Sequence, residues 1–248
     1  MNQIRSFVVI LQFLTRIPLP WTISCDEETF ERGLFSFALV GVVLGIALVG
    51  VAVVIWQIFY DAWVVAILAS LFHIYLTGGL HLDGLADSAD GLLSNREPSR
   101  MLEIMKDSRI GSNGVLALIG ILALKVVGMR VLIDFQLWPF LFMMPVMGRC
   151  AVVFGCYKQS TPRTQGMGNL FIGHVSWKML VVNAAVVLVL WLVVPLAPLA
   201  LLGAMAFTWL FNRWVKGKIG GITGDVLGAI IELNEVVYLL FMAVLVSV

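Results

Sequence analysis

The sequence predicts an all-α protein, a polytopic bundle of helices embedded in a membrane, and three observations carry that prediction. The 248 residues are 60% hydrophobic and only 12% charged, with a mean hydropathy of +1.00. A soluble domain carries about a quarter charged residues, so this chain has half the charge that a wetted surface needs. Its apolar residues come in runs close to the roughly 20 that a helix needs to cross a bilayer core of about 30 Å. Finally, the basic residues gather at one end of those runs. A net charge of +1 and a pI near 7.7 leave no basic excess to neutralise a phosphate backbone, which argues against a nucleic-acid partner.

The elements follow in order. Residues 7–14 are apolar, but Arg16, Pro18 and Pro20 close the run early without a small-residue cleavage site. They read as a retained interfacial segment rather than a signal peptide. Residues 34–59 carry no charge, and 62–80 follow after Asp61, giving a tight hairpin of two spans. Residues 114–133 and 138–157 form a second pair around Asp134, with Lys125, Arg130 and Arg149 near or inside the apolar stretch. The run 179–212 is again uncharged and contains Pro195 and Pro198, and 226–248 closes the chain with Glu232 and Glu235 inside it.

As one helix, 179–212 would reach about 50 Å, too long for one span. Splitting it at the prolines places 13 of the 16 basic residues on one face and none on the other. By the positive-inside rule this gives seven spans with the N-terminus and the basic face in the cytoplasm. Residues 1–248 read as a single membrane-embedded domain, without the internal repeat of many transporters. Cys25, Cys150 and Cys156 have no C-x-x-C spacing, so neither a disulfide framework nor a thiolate zinc site is indicated.

Chemistry concentrates in residues 82–113, which hold ten of the 31 charged groups. Asp83, Asp87 and Asp90 stand at i, i+4 and i+7, on one face of a helix. Carboxylates so placed repel one another. A hard divalent cation would resolve the repulsion, and Mg2+ held by a few carboxylates plus substrate phosphates is the expectation. The plain alternative is an acidic membrane-exit loop. His81 reads as a substrate hydrogen bond or a structural residue, since magnesium prefers oxygen. His73, inside a span, reads as a bundle contact.

Lys106 and Arg109 could present two cations to a diphosphate, or simply anchor a span at the interface. Asn169 and His174 belong to a glycine-rich turn after Arg163, which by spacing alone reads more readily as a simple loop than as a site. Glycines and Thr223 precede Asp225 at a helix start that could receive an anion. Asp225 and Glu232 share a face, with Glu235 beside them; such acids either serve a functional site or lock helices together. All four clusters fall on the face assigned to the cytoplasm, as a metal-assisted transfer between phosphorylated substrates requires.

These residues resemble the cobalamin synthase family of adenosylcobinamide-GDP ribazoletransferases. The matching stretches are Phe13-Leu-Thr-Arg-Ile-Pro-Leu-Pro20, Gly78-Gly-Leu-His-Leu-Asp-Gly-Leu-Ala-Asp-Ser-Ala-Asp-Gly91, Met101-Leu-Glu-Ile-Met-Lys-Asp-Ser-Arg-Ile-Gly111, Gly168-Asn-Leu-Phe-Ile-Gly173 and Gly220-Gly-Ile-Thr-Gly-Asp-Val-Leu-Gly-Ala229. The resemblance implies a magnesium-dependent membrane enzyme that joins adenosylcobinamide-GDP to α-ribazole, or to its 5'-phosphate, and releases GMP in the last stage of nucleotide-loop assembly of coenzyme B12. On that reading Asp83, Asp87 and Asp90 are catalytic and hold Mg2+. Lys106 and Arg109 assist the leaving group, and His81, Asn169, Thr223 and Asp225 contact substrate. The partners are the two substrates and the bilayer, with room for an oligomer.

Three alternatives share the same niche. A CDP-alcohol phosphotransferase requires an Asp-Gly-x-x-Ala-Arg element that is absent after Asp83. A membrane prenyltransferase would need a second acidic motif, which the final-span acids could mimic. A cation-coupled transporter would use Asp225, Glu232 and Glu235 as an ion path but leaves the dense loop at 82–113 unexplained.

Overall fold

The computed structural model describes residues 2–21 and 26–247, so Cys25 lies outside the described residues. Among the described residues the secondary structure is helical throughout. The order is α1 (Asn2–Leu14), α2 (Glu27–Gly33), α3 (Phe37–Phe59), α4 (Ala62–Thr77), α5 (Leu80–Leu92), α6 (Pro98–Ile104), α7 (Ser112–Asp134), α8 (Trp138–Cys156), α9 (Trp177–Leu190), α10 (Ala197–Ile219) and α11 (Gly224–Ser247). Short 3-10 turns occur at Leu34–Ser36 and Met167–Leu170.

Helix termini follow local chemistry. Asp61 starts α4 by accepting the Val64 N–H at 2.9 Å, and the preceding Tyr60 ends α3 in the left-handed region. Gly78 and Gly79, both with positive φ, stop α4 and let α5 leave at 90°. Pro195 falls in the turn between α9 and α10, as expected for a residue that cannot continue a helix.

The number of crossings is the point at which the structure is more reserved than the sequence. By length and composition four helices can cross a membrane, α2–α3 as one continuous unit, α7, α8 and α11; the bent pair α4 with α5 makes five. Helix α9, with 14 residues, extends only about 21 Å, and α4 alone has 16 residues. The proline split of 179–212 into two helices is observed, but seven crossings are not established by these lengths.

Packing rests on small residues that let backbones approach. Gly41 and Gly45, four apart on α3, lie directly on the α8 backbone at Pro145–Val146 and Phe142, where added Cβ atoms would collide. On the other side of α8, Gly148 makes room for Glu235, and on α7 Gly128 makes room for Leu239, so α11 is clasped between α7 and α8. Asn183 of α9 mends the break between α2 and α3: its Oδ1 accepts the Ala38 N–H at 2.7 Å and its Nδ2 donates to Leu34 O at 2.8 Å. Those are backbone groups that a helix interruption would otherwise leave unpaired in an apolar setting.

Candidate active site

Helix α5 lies across one end of α11, and glycine decides how closely. A Cβ at Gly84 would meet the Asp225 carbonyl oxygen at 2.7 Å, and one at Gly228 would meet the His81 carbonyl oxygen at 3.0 Å. The acidic helix therefore rests on the start of α11 with almost no gap, which brings Asp83 and Asp87 to Asp225. The half-buried Asp87 feels Asp83 and Asp225 as its nearest like charges and Arg163 as the compensating cation.

The loop after α8 closes the third side. Gly168 sits against the Gly224 backbone at 2.7 Å from where a Cβ would project, so two glycines meet where no side chain would fit. Asn169 stands on the 3-10 turn here and donates from Nδ2 to Arg163 O at 3.1 Å, tying down the loop that carries Arg163. Arg163 then pairs with Asp225, Nη2 to Oδ2 at 2.7 Å. Ile222 docks the α10–α11 loop by donating its N–H to Ser160 O at 2.9 Å.

These elements enclose a cavity of about 250 Å3. Its polar rim is His81, Asp83, Arg163, Asn169 and Asp225, and its apolar wall includes Phe13, Phe37 and Phe171, whose rings meet at 5.6 to 5.7 Å. Two buried nitrogens, Nε of Arg163 and Nε2 of His81, have no partner among the described residues. A buried polar atom left this way costs roughly 1–3 kcal/mol, so a ligand oxygen is the natural complement.

The predicted residues divide. His81, Asp83, Asn169 and Asp225 line the cavity, with Asp87 beside them. Asp90 is turned elsewhere: Oδ2 accepts the Gly111 N–H at 2.7 Å and Oδ1 the Gly114 N–H at 2.8 Å, so this carboxylate caps α7 from a neighbouring helix. A three-carboxylate face on paper thus separates, because α7 begins against the far end of α5. Thr223 is fully buried and accepts the Val226 N–H at 3.4 Å as the cap of α11, outside the cavity lining. Lys106 is exposed, and Arg109 pairs with Asp107, Nη2 to Oδ2 at 2.7 Å, on an exposed loop; neither lines the cavity. That Arg109 guanidinium holds the Asp107 carboxyl down at about 2.

Deeper in the bundle, Lys125 of α7 donates to Glu232 at 2.5 Å and to Glu235 at 2.8 Å. Arg149 of α8 donates to Glu235 and approaches His81 Nδ1 at 3.4 Å. His73 lies 3.9 Å from Glu235, the bundle contact its position suggested. Two cations balance two anions here, so Glu232 and Glu235 lock α7, α8 and α11 together and offer no second diphosphate motif.

The cobalamin-5-phosphate synthase family model matches residues 6–243. The chain belongs to that family. It is 45% identical over 238 residues to an adenosylcobinamide-GDP ribazoletransferase of Alkaliphilus metalliredigens, covering 96% of this chain and 94% of the relative. With the enzyme of the same name from Clostridioides difficile it shares 39% identity over 98% of both chains, and with that of Thermoanaerobacter pseudethanolicus 34% over 97% of both. No solved structure matches. Arg163 is the cavity residue that the sequence marks only as the start of a glycine-rich turn, without a role of its own. A lone arginine beside a loop gives no signal until the fold shows Asp225 across from it.

Proposed function

We infer that this protein is an adenosylcobinamide-GDP ribazoletransferase: it transfers the cobinamide phosphate moiety to the 3'-hydroxyl of α-ribazole, or of its 5'-phosphate, and releases GMP. Family membership supports the reaction. The observation that carries its location is the cavity in which Asp83, Asp225, Arg163 and His81 converge.

The new bond joins the ribazole oxygen to the phosphorus that bears cobinamide, and the bond from that phosphorus to the GMP oxygen breaks. Such transfers depend mainly on positioning and charge neutralisation. Arg163 can donate from Nε to a diphosphate oxygen while Asp225 holds its Nη2. His81 is prepared as a donor too. An arginine can only donate, so Nδ1 facing Arg149 is the lone-pair nitrogen and the hydrogen sits on Nε2. The unpaired Nε2–H is then free for a phosphate oxygen.

Asp83, Asp87 and Asp225 supply hard oxygen donors that fit Mg2+, with Asp225 in the place the sequence reading gave to Asp90. Among the described residues no group of three or more His, Cys, Asp or Glu side chains is arranged to hold a metal ion, so fewer than three of these carboxylates would bind it directly in this arrangement. Substrate phosphates would complete the shell, as is usual for magnesium. When bound, the ion would neutralise charge on the diphosphate.

The protein sits in the bacterial inner membrane with this cavity toward the cytoplasm. Supporting that orientation, the exceptions to the basic face are Lys125 and Arg149, paired inside the bundle, and Arg130, paired with Asp134 at 2.5 Å. Single cysteines introduced at Asn95 and Asp61 should label from opposite sides; labelling from one side overturns the arrangement. The activity test uses the purified full chain in detergent with adenosylcobinamide-GDP and α-ribazole, with and without magnesium. A cobalamin product with equimolar GMP is expected only with the metal, and GMP release without acceptor incorporation would refute the transfer.

A further inference from the structure

Away from the cavity already described, a hollow of about 310 Å3 lies where α10 meets the loop after α8, lined by Lys158, Gln159, Trp209, Asn212, Arg213 and Lys216. Its three cations are exposed, and among the described residues no carboxylate pairs with any of them. Two are seated on rings: Arg213 Cζ stands 5.8 Å from the Trp209 ring centre, and Lys158 Nζ stands 5.1 Å from that of Tyr157. Unpaired positive charge gathered around one hollow suits an anion.

Helix α10 shows which kind. Leu199, Leu202, Ala206, Trp209, Arg213 and Lys216 follow one another at spacings of three and four, so they form a single stripe along the helix. All six are exposed. From the start of α10 the stripe runs from aliphatic through aromatic to cationic, the order in which acyl chains, interface and phosphate succeed one another in a phospholipid leaflet. A soluble anion or a nucleic acid has nothing to offer the aliphatic part.

Asn212 narrows the headgroup. Its side chain is buried, and its Nδ2 donates to Gly155 O at 2.8 Å; a carbonyl can only accept, so this bond fixes which way the amide faces. The other atom, Oδ1, is buried without a partner among the described residues. An ionised phosphate diester has no hydrogen to give it, and neither has a choline. We propose that this hollow binds the headgroup of an anionic phospholipid that carries a hydroxyl beside its phosphate, as phosphatidylglycerol does. Lys158, Arg213 and Lys216 hold the phosphate, Asn212 Oδ1 accepts from the hydroxyl, and the acyl chains lie along Leu202 and Leu199.

The test measures lipid binding to the purified, delipidated full chain in non-ionic detergent by native mass spectrometry. The probes are phosphatidylglycerol, phosphatidylcholine and phosphatidylmethanol with identical acyl chains. Phosphatidylglycerol should bind at least about tenfold more tightly than phosphatidylcholine, since each basic residue near an anionic lipid contributes about a fivefold factor. Arg213→Gln with Lys216→Gln should weaken it by about twenty- to thirtyfold, and Lys158→Gln by about fivefold, with unfolding temperatures in lipid-free detergent near the parent's. Phosphatidylmethanol has the same charge and no hydroxyl, and should bind about two- to tenfold more weakly than phosphatidylglycerol. Equal affinity for phosphatidylcholine and phosphatidylglycerol would overturn the proposal. So would an equal loss in the charge-matched pair Arg96→Gln with Lys106→Gln, which lies outside the hollow, because attraction would then belong to the basic face at large. Equal affinity for phosphatidylmethanol would remove the role of Asn212 and with it the choice of headgroup, and displacement of the lipid by millimolar inorganic phosphate would make free phosphate the ligand instead. If the paired variant fails to fold, Lys158→Gln decides alone, and an unchanged affinity there overturns the site.

Discussion

Two clusters of acids, each with its cations from other elements, sit on the same helix about two to three turns apart, and they are built for opposite ends. At the start of α11, Asp225 shares its cavity with Asp83 and Arg163, and donors on Arg163 and His81 are left without partners. In the middle of α11, Glu232 and Glu235 are matched by Lys125 and Arg149. The residue types are the same. What differs is access: the deep cluster pairs its carboxylates with cations inside the bundle, with only Arg149 Nε and His73 Nε2 lacking a partner among the described residues, while the shallow one lines a cavity that can admit a ligand. His81 joins them, with Nδ1 toward the deep cluster and its ring in the lining of the cavity.

Breaking the deep cluster should have the larger effect. Arg149→Met leaves Glu235 buried with less compensation, and removing one partner of such a pair costs about 3–5 kcal/mol. We expect a large drop in thermal unfolding temperature in detergent, with activity lost because the fold is lost. Replacing Glu235 together with Arg149 by apolar residues should recover much of the stability, and a failure to recover would mean the pair does more than balance charge.

Next in size is the shallow cluster. Asp83→Asn and Asp225→Asn should each lower transfer by about a hundredfold, the scale of a lost electrostatic stabiliser, while unfolding temperature stays near that of the parent. If both activity and unfolding temperature fall together, the contrast between the two clusters disappears.

Asp90 lies between these cases. Asp90→Ala removes the acceptor for two N–H groups at the start of α7, a capping loss of about 0.5–2 kcal/mol. Calorimetry or thermal unfolding should register it, and turnover per folded molecule should fall much less than in Asp83→Asn. A loss as deep as that of Asp83→Asn would return Asp90 to the metal site.

The smallest effect is expected on the exposed loop. Arg109→Ala should change turnover by less than about threefold, since an exposed pair contributes little. Arg109 depresses the Asp107 pKa in the folded protein. Its contribution is therefore complete above the ordinary carboxylate value of 3.8 and fades as pH falls toward about 2. Titration of Asp107 should move back up in Arg109→Ala. A hundredfold loss of activity would instead bring this loop to the diphosphate, as the sequence alone suggested.

Much of this protein is decided by composition and spacing. A chain with half the usual charge must put its apolar runs into lipid or into one another, so the helical membrane class, the break at Pro195 and the placement of His73 inside the bundle are all readable from residues in order. The glycine-rich acidic motif is equally readable as a place of close approach, because only glycine lets α5 touch α11. Tertiary structure decided which charges meet. Helical periodicity puts Asp83, Asp87 and Asp90 on one face, yet the start of α7 claims Asp90 and the start of α11 contributes Asp225. Lys125 and Arg149 looked like interruptions of apolar spans until α11 supplied Glu232 and Glu235 between them. Pairing in low dielectric depends on distances across helices, and those distances are set by packing of residues far apart in the chain, so no local pattern could carry them.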